Sequence, residues 1–91
     1  MATTDKEYRV FVREPMGDKP VTDLPGIEET LGRRLQERGF YNAYKVLGQF
    51  VWLRRDTDRF TTWLKKAIGA TSEQADLCAR ALEDWCTIQL Y

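Results

Sequence analysis

The residues best placed to do chemistry form a short corner, Pro25-Gly26-Ile27, followed two turns later by Arg33 and Arg34. Proline fixes φ and glycine allows a tight turn, so this segment predicts a turn that leads directly into a helix. Backbone N–H groups at a helix N-terminus bind phosphate, and nearby arginine adds positive charge. The pattern fits a helix-hairpin-helix anion site, and it also fits an ordinary loop-to-helix junction.

Enzymatic chemistry has little support in the sequence. The 91 residues include no histidine, which removes Ser-His-Asp and Cys-His catalytic sets and the common metal-site patterns. Cys78 and Cys86 fall at apolar positions of one helical pattern, about 12 Å apart along its axis, which is too far for a disulfide. No Walker or dinucleotide glycine pattern occurs. We expect a non-enzymatic protein with free buried thiols, no cofactor and no metal.

Composition indicates one small folded domain over residues 1–91. Hydrophobic residues make up 43% of the chain and include three Trp, four Tyr and four Phe, which is too many for a disordered tail. The formal charge is zero, so nucleic-acid contact would depend on a local basic patch and on backbone donors. No apolar run reaches membrane-spanning length and no signal-peptide pattern opens the chain. We therefore expect an intracellular protein without membrane insertion.

Helical periodicity runs through most of the chain, and no strand pattern competes with it. The predicted fold is all-α, a compact bundle of about five helices. The first predicted helix follows a Thr4–Glu7 capping box and stops at Pro15, and a very short turn lies near Asp23. A second helix runs from Ile27 and is closed by Gly39, and a third spans Phe40–Arg55. A fourth is capped by Asp56 and closed by Gly69, and the last opens with a Thr71–Gln74 capping box.

The helix predicted over Phe40–Arg55 is apolar on more than one side, so it is either central or shared with a partner chain. Gly48 lies in its middle, where glycine costs about 1 kcal/mol relative to alanine and often permits close approach of another helix. Two interpretations remain open, which are close packing inside one chain and a dimer interface. The residues of the second interpretation are Ala43, Val46, Leu47, Gly48, Phe50 and Val51.

Several segments together resemble the barrier-to-autointegration factor family. They are Glu14–Val21, Pro25-Gly26-Ile27, Leu35–Phe40, Ala43–Phe50, Trp63-Leu64-Lys65, Gly69-Ala70 and Asp84-Trp85-Cys86, so the similarity runs essentially end to end. The resemblance implies a small all-helical homodimer that binds double-stranded DNA without sequence preference and bridges DNA molecules. It also implies binding of LEM-domain proteins of the inner nuclear membrane, a nuclear location with a cytoplasmic pool, and a role in chromatin and nuclear-envelope organisation.

The resemblance assigns residues to these roles. It implies DNA contacts at Lys6, Gly26, Ile27, Leu31, Arg34 and Ser72, and LEM-type partner contacts at Arg54, Arg55, Phe60 and Trp63. It also implies phosphorylation near Thr3 and Thr4, where about two negative charges per phosphate would oppose DNA contact. Arg59 stands where the family has an apolar residue, which would weaken the LEM-type contact or suit a different partner.

Four acidic residues depart from the family pattern. The family's hairpin reads Gly-Ile-Gly, whereas here Glu28 replaces the second glycine, where the main chain would approach DNA. Glu73 and Asp76 replace basic positions at the start of the last helix, and Glu7 replaces a lysine for which Lys6 is a neighbouring substitute. Each lost phosphate contact removes about 0.9 from the salt slope of binding. Carboxylates also suit the first turns of helices, and both interpretations hold together.

Two functional hypotheses follow from these residues. The first is a dimer that binds and bridges double-stranded DNA without sequence preference. The second is a divergent paralogue with weakened DNA binding, which acts as an adaptor or as the partner of a conventional family member in a heterodimer.

Overall fold

The computed structural model describes residues 5–90, and these form five α-helices and one 3₁₀ turn. In chain order the elements are α1 (Asp5–Arg13), the 3₁₀ turn (Val21–Asp23), α2 (Glu29–Glu37), α3 (Ala43–Trp52), α4 (Thr57–Ile68) and α5 (Ser72–Gln89). Between residues 5 and 90 there is no β-strand, and an isolated bridge joins Pro20 to Asn42. The all-α class predicted from periodicity is confirmed.

Local signals set several helix ends where the sequence places them. Asp56 caps α4 with its side chain, and Thr71 and Gln74 form a reciprocal capping box at the start of α5. Gly69 (φ 71°) ends α4, and Gly39 (φ 91°) follows α2, both in the left-handed conformation that glycine adopts without steric cost. These predictions are confirmed. The capping box predicted at Thr4 lies outside the described residues.

Helix α3 is shorter at both ends than the predicted span Phe40–Arg55. Its N-terminal side pairs with the loop before the 3₁₀ turn, because the Val21 N–H donates to the Tyr41 carbonyl at 3.1 Å and the Ala43 N–H to the Lys19 carbonyl at 2.9 Å. These bonds hold the backbone in a non-helical path. Arg54 and Arg55, at the other end, follow the helix with φ of 61° and 59°.

The core is one cluster to which every helix contributes buried residues. Phe50 of α3 and Phe60 of α4 are fully buried and meet edge to face, with ring centroids 5.2 Å apart. Helix α5 packs against both α4 and α1. Cys78 and Cys86 are buried free thiols, as predicted, and burial raises the pKa of the Cys78 thiol to about 12. The Cys78 thiol therefore stays protonated and unreactive at neutral pH. No helix among residues 5–90 has the length and apolar composition needed to cross a membrane.

The turn that enters α2 is wedged against the first turn of α5. Gly26 has φ 85°, and a Cβ atom built on it would lie 2.5 Å from the Gln74 carbonyl oxygen. Leu24 is buried on one side of it and Ile27 on the other. Glycine is therefore required at this position for two reasons, the positive φ of the backbone and the lack of space for a Cβ atom.

Three side-chain hydrogen bonds among the described residues tie α1 and its exit to α5. The Tyr8 hydroxyl donates to Asp84 Oδ2 at 2.5 Å, and Trp85 Nε1 donates to the Glu14 carbonyl at 2.9 Å. Gln89 Nε2 donates to the Val12 carbonyl at 3.2 Å. Burial and the neighbouring Asp84 carboxylate raise the pKa of Tyr8 well above its ordinary value.

We expect Gly26→Ala to lower the free energy of unfolding by about 3 kcal/mol, from left-handed strain and overpacking together. Gly39→Ala is the matched control, because Gly39 also has a positive φ but a Cβ there meets nothing within 4 Å. It should cost only about 1 kcal/mol. Urea denaturation measures both variants, and equal losses would show that Gly26 is not held against α5.

Stability should fall as the pH rises past 10.0, the ordinary pKa of tyrosine. The folded protein holds the Tyr8 proton more tightly than the unfolded chain does, so deprotonation above that pH favours unfolding. Tyr8→Phe should reduce this alkaline loss and, at neutral pH, lower the free energy of unfolding by about 1 kcal/mol through the missing hydrogen bond. Burial also raises the pKa of Cys78 and of Cys86, so these thiols contribute a further loss that begins above 9.0, the ordinary pKa of cysteine.

Urea denaturation over a pH series measures both effects. Tyr41→Phe, at an exposed tyrosine outside α3, is the control and should show the same alkaline loss as the parent protein. An alkaline loss that is the same in Tyr8→Phe and in the parent protein would contradict the role given to the Tyr8–Asp84 bond.

Candidate nucleic-acid interface

Residues from three separate parts of the chain meet at the wedged turn. Gly26 lies against Gln74 in the first turn of α5. Arg34 of α2 donates an Nη1 hydrogen to the Ile68 carbonyl at 2.9 Å, which places its guanidinium beside Gly69 and just ahead of α5. Ser72 is exposed in the first turn of α5. The structure therefore brings together three of the residues predicted to contact DNA.

Two arginine side chains, from Arg34 of α2 and from Arg38 just after it, are held by the end of α4. Arg38, one turn after Arg34, donates Nε–H to the Ala67 carbonyl at 2.8 Å. The last carbonyls of a helix carry partial negative charge, so both guanidinium groups have favourable fixed positions. Arg33 points elsewhere and lies 3.6 Å from the Glu29 carboxylate. Arg34 is thus the arginine that the fold directs to this surface.

The N-terminus of α5 keeps backbone donors for a ligand. Its capping box satisfies two backbone groups, because the Thr71 hydroxyl accepts from the Gln74 N–H at 3.1 Å and the Gln74 side chain accepts from the Thr71 N–H at 2.9 Å. The amides of Ser72 and Glu73 also lie in the first turn, where no intrahelical acceptor reaches them. Together with the positive end of the helix dipole, they suit an anion.

The N-terminus of α2 is already occupied by a carboxylate. Glu28 is its N-cap, and Glu28 Oε1 accepts the Leu31 N–H at 2.7 Å. Hydrogen bonds from the backbone at Leu31 and Thr30 hold the pKa of Glu28 below its ordinary range, so this side chain is ionised at neutral pH. The capping interpretation of Glu28 is confirmed, and the carboxylate takes the place that a phosphate would need.

Three further residues were predicted to contact DNA, and they do not join Gly26, Arg34 and Ser72 on this surface. The Ile27 side chain is buried and its N–H donates to the Leu24 carbonyl at 3.0 Å, so it has no donor for phosphate. The Leu31 side chain is buried too, and Glu28 takes its N–H. Both residues are therefore engaged within the chain, and DNA contact at Ile27 and Leu31 stays a prediction. Lys6 is exposed on α1 and faces the corner across a groove of about 640 Å³.

The outer face of α3 is not covered by the rest of the described chain. A Cβ atom on Gly48 would meet nothing within 4 Å, so close packing of Gly48 inside one chain, one of the two interpretations, is wrong. Leu47 is half-buried, whereas Val51 is 50% exposed beside it. Tyr44 and Trp52, four residues either side of Gly48, are 46% and 78% exposed. These five residues form one apolar surface, here called the α3 face.

Half of the predicted dimer residues lie in the core and not on the α3 face. Ala43, Val46 and Phe50 are fully buried in the core of their own chain, so they have no surface for a partner. The sequence analysis merged the two sides of α3 because both are apolar. Tyr44 and Trp52 were missed, although their spacing of four from Gly48 was the signal that places them on its side of the helix.

The residues predicted for partner binding also include both buried and exposed side chains. Phe60 is fully buried, and its role in partner binding stays a prediction. Trp63 is half-buried, with its ring packed edge to face on Phe40 at 5.2 Å. Arg54 is exposed, whereas Arg55 pairs with the Glu83 carboxylate at 2.8 Å. Thr3 and Thr4, the predicted phosphorylation positions, lie outside the described residues.

Comparison with known proteins identifies the family of this chain. A family model described as Barrier to autointegration factor matches residues 1–89. The barrier-to-autointegration factor of Homo sapiens is 52% identical over 84 residues, which cover 92% of this chain and 94% of its own. Barrier-to-autointegration factor B of Xenopus laevis and the Drosophila melanogaster protein are each 50% identical over 86 residues, or 94% of this chain and 96% of theirs. The chain therefore belongs to the barrier-to-autointegration factor family.

Proposed function

We propose that this protein is a non-enzymatic nuclear protein that binds double-stranded DNA without sequence preference and bridges DNA as a dimer. The observation that carries the proposal is the meeting of Gly26, Arg34 and Ser72 on one surface. Groups of this kind contact phosphate and sugar, which fixes the position of a protein on the duplex but reads no sequence. Family membership supports the same function.

DNA contact on this surface would depend on backbone amides and one arginine. The amides of Ser72 and Glu73 would receive a phosphate at the positive end of α5. Arg34 donates one N–H to the Ile68 carbonyl, and this bond fixes its side chain. Its remaining N–H groups would reach an adjacent phosphate without the entropy cost of ordering the side chain on binding. With a formal charge of zero, the chain has no long-range attraction to add.

A second candidate function rests on the Glu28 cap. A carboxylate that already accepts the Leu31 N–H must be displaced before a phosphate can bind at α2, and it repels that phosphate meanwhile. Glu73 and Asp76 are exposed and bring two more negative charges to the start of α5. In this reading the protein is a divergent family member with weakened DNA affinity, which serves as an adaptor or heterodimer partner.

Dimerisation would use the α3 face. An apolar surface around a bare glycine allows two helices to approach closely, and covering Trp52 and Val51 removes apolar area from water. Two copies joined there carry two DNA surfaces, which is the arrangement that bridging requires. A family partner would fit the same face, so homodimer and heterodimer are both accommodated.

LEM-domain proteins are the proposed protein partners, and nuclear-envelope organisation, with a cytoplasmic pool of the protein, is the proposed context. Exposed Arg54 and half-buried Trp63 remain available for such a contact. Arg59 is exposed and lies 3.8 Å from the Asp56 carboxylate, so it adds charge where an apolar groove contact is proposed. Phosphorylation at Thr3 or Thr4 would add negative charge near Lys6 and oppose DNA contact.

Titration of a labelled random duplex at low salt tests DNA binding. We expect weak binding by the parent protein. The variant Glu28→Gly/Glu73→Lys/Asp76→Arg should bind more tightly, with a salt slope steeper by about 1.8, because two cations are gained and three acids lost. Asp18→Arg/Thr62→Lys adds two cations at exposed positions outside this surface and should change the slope little.

The outcomes separate the two candidate functions. If the parent protein fails to bind at low salt even at its highest soluble concentration, the DNA-binding function is rejected. If the parent binds as tightly as the triple variant, the weakened-affinity function is rejected instead.

Gly48→Gln tests the dimer. In the protomer a side chain at this position has open space, and glutamine is a better helix former than glycine. The variant protomer should therefore be at least as stable as the parent protomer. In the dimer the same side chain would separate the two α3 helices. Sedimentation equilibrium should show a dimer for the parent and for the control Thr62→Gln, at an exposed position of α4, and a monomer for Gly48→Gln. A dimeric Gly48→Gln protein would place the interface elsewhere.

A further inference from the structure

The loop that joins α3 to α4 contains both of the non-glycine residues between 5 and 90 that have a positive φ. Arg54 has φ 61° and Arg55 has φ 59°. Their N–H groups donate to the Val51 and Phe50 carbonyls at 2.8 and 2.9 Å, and these bonds hold the backbone on this path. An arginine in the left-handed region is strained whereas glycine is not, so the backbone alone favours glycine here.

Contacts within the chain account for one of the two arginine side chains. Arg55 pairs with the Glu83 carboxylate at 2.8 Å. The Arg54 side chain is exposed, and among residues 5–90 it takes part in no ion pair or hydrogen bond. A strained residue whose side chain does not stabilise its own chain indicates contact with an external group. For a guanidinium that group is a carboxylate or a phosphate.

Thr57, three residues after Arg54, presents an available hydroxyl at the end of this loop. It is exposed in the first turn of α4, and its Oγ1 has no hydrogen-bond partner between residues 5 and 90, whereas three other threonine hydroxyls bond to the backbone. The run Arg54-Arg55-Asp56-Thr57 thus places arginines three and two residues before an acceptor. Such a run suits a protein kinase with acidic side chains in its peptide groove.

The loop can enter an extended kinase groove without disturbing the core. Asp56 is already extended, with φ −81° and ψ 107°, and the N–H groups of a helix's first turn have no intrahelical acceptor. Opening the loop breaks the Arg55–Glu83 pair and the cap bond from the Arg59 N–H to Asp56 at 3.1 Å. Local opening of this kind costs less free energy than global unfolding.

We propose that Thr57 is a phosphorylation site for an arginine-directed protein kinase. The kinase would transfer the γ-phosphoryl group of Mg²⁺-bound ATP to Thr57 Oγ1. A bond forms between Oγ1 and the γ-phosphorus, the bond from that phosphorus to the β,γ-bridging oxygen breaks, and ADP leaves. The hydroxyl proton passes to the catalytic aspartate of the kinase.

The phosphate would reverse the charge of the surface around it. It carries about two negative charges at neutral pH. The segment Arg54–Arg59 contains three arginines and two aspartates, so its net charge would pass from +1 to about −1. Thr57 also shares a depression of about 260 Å³ with Arg80 and Glu83, so the phosphate would compete with Glu83 for a guanidinium. Phosphorylation would thereby weaken any carboxylate contact made by Arg54.

Phosphate transfer from labelled ATP to the full chain tests the site, with the catalytic subunit of cyclic-AMP-dependent protein kinase as the arginine-directed probe. We expect mass spectrometry to locate the label at Thr57, and Thr57→Ala to lose it. Arg54→Gln should slow labelling by about tenfold or more, the effect of losing one hydrogen bond between charged groups. Arg59→Gln is the matched control, because it removes an exposed charge from the other side of Thr57, and it should change the rate little. Circular dichroism confirms that the variants fold.

Each outcome supports or overturns the inference. Absence of labelling overturns it, and so does labelling at Thr62, which has Arg59 three residues before it. Equal slowing in Arg54→Gln and Arg59→Gln overturns recognition through the arginine at position 54. Casein kinase 2 serves as an acid-directed comparison, and faster labelling of Thr57 by that kinase would show that the proposed kinase class is wrong. These measurements involve neither DNA nor dimer formation, so their result is independent of the proposed function.

Discussion

The contact between Gly26 and the Gln74 carbonyl sets how closely the turn into α2 and the start of α5 approach at the candidate interface. Because no Cβ fits between them, the turn into α2 and the first turn of α5 are held at main-chain distance. That contact brings two helix N-termini to one side of the molecule. It also carries Arg34 to the end of α4, where the Ile68 carbonyl fixes its guanidinium. Any larger residue at this turn would separate the amides from the charge that supports them.

The two helix N-termini illustrate how one physical preference serves two purposes. A helix N-terminus attracts an anion, whether the anion is a ligand or a side chain. At α5 the cap is a neutral threonine with a glutamine, so the negative charge there comes from the exposed Glu73 and Asp76 side chains and not from the cap. At α2 the cap is the Glu28 carboxylate, which neutralises the positive potential of that helix N-terminus from within the chain. The residue that stabilises α2 is therefore the residue that competes with phosphate.

The α3 face and the candidate nucleic-acid interface differ in chemistry. Trp52 and Val51 expose apolar area that residues 5–90 do not cover. Exposed apolar patches of this kind are typical of protein–protein contacts. The two surfaces therefore suit different partners, another apolar helix in one case and a polyanion in the other.

The sequence by itself determined the all-α class and most helix ends, because caps such as Asp56 and Gly69 act through bonds within a few residues. It also indicated the corner at Gly26 and the family. Only the tertiary structure decided which side of α3 faces the core, since both sides are apolar and a helical period cannot rank them. It likewise decided that the turn at Gly26 lies against the Gln74 carbonyl and that Arg34 meets the end of α4. These contacts join residues far apart in the chain, which no local pattern specifies.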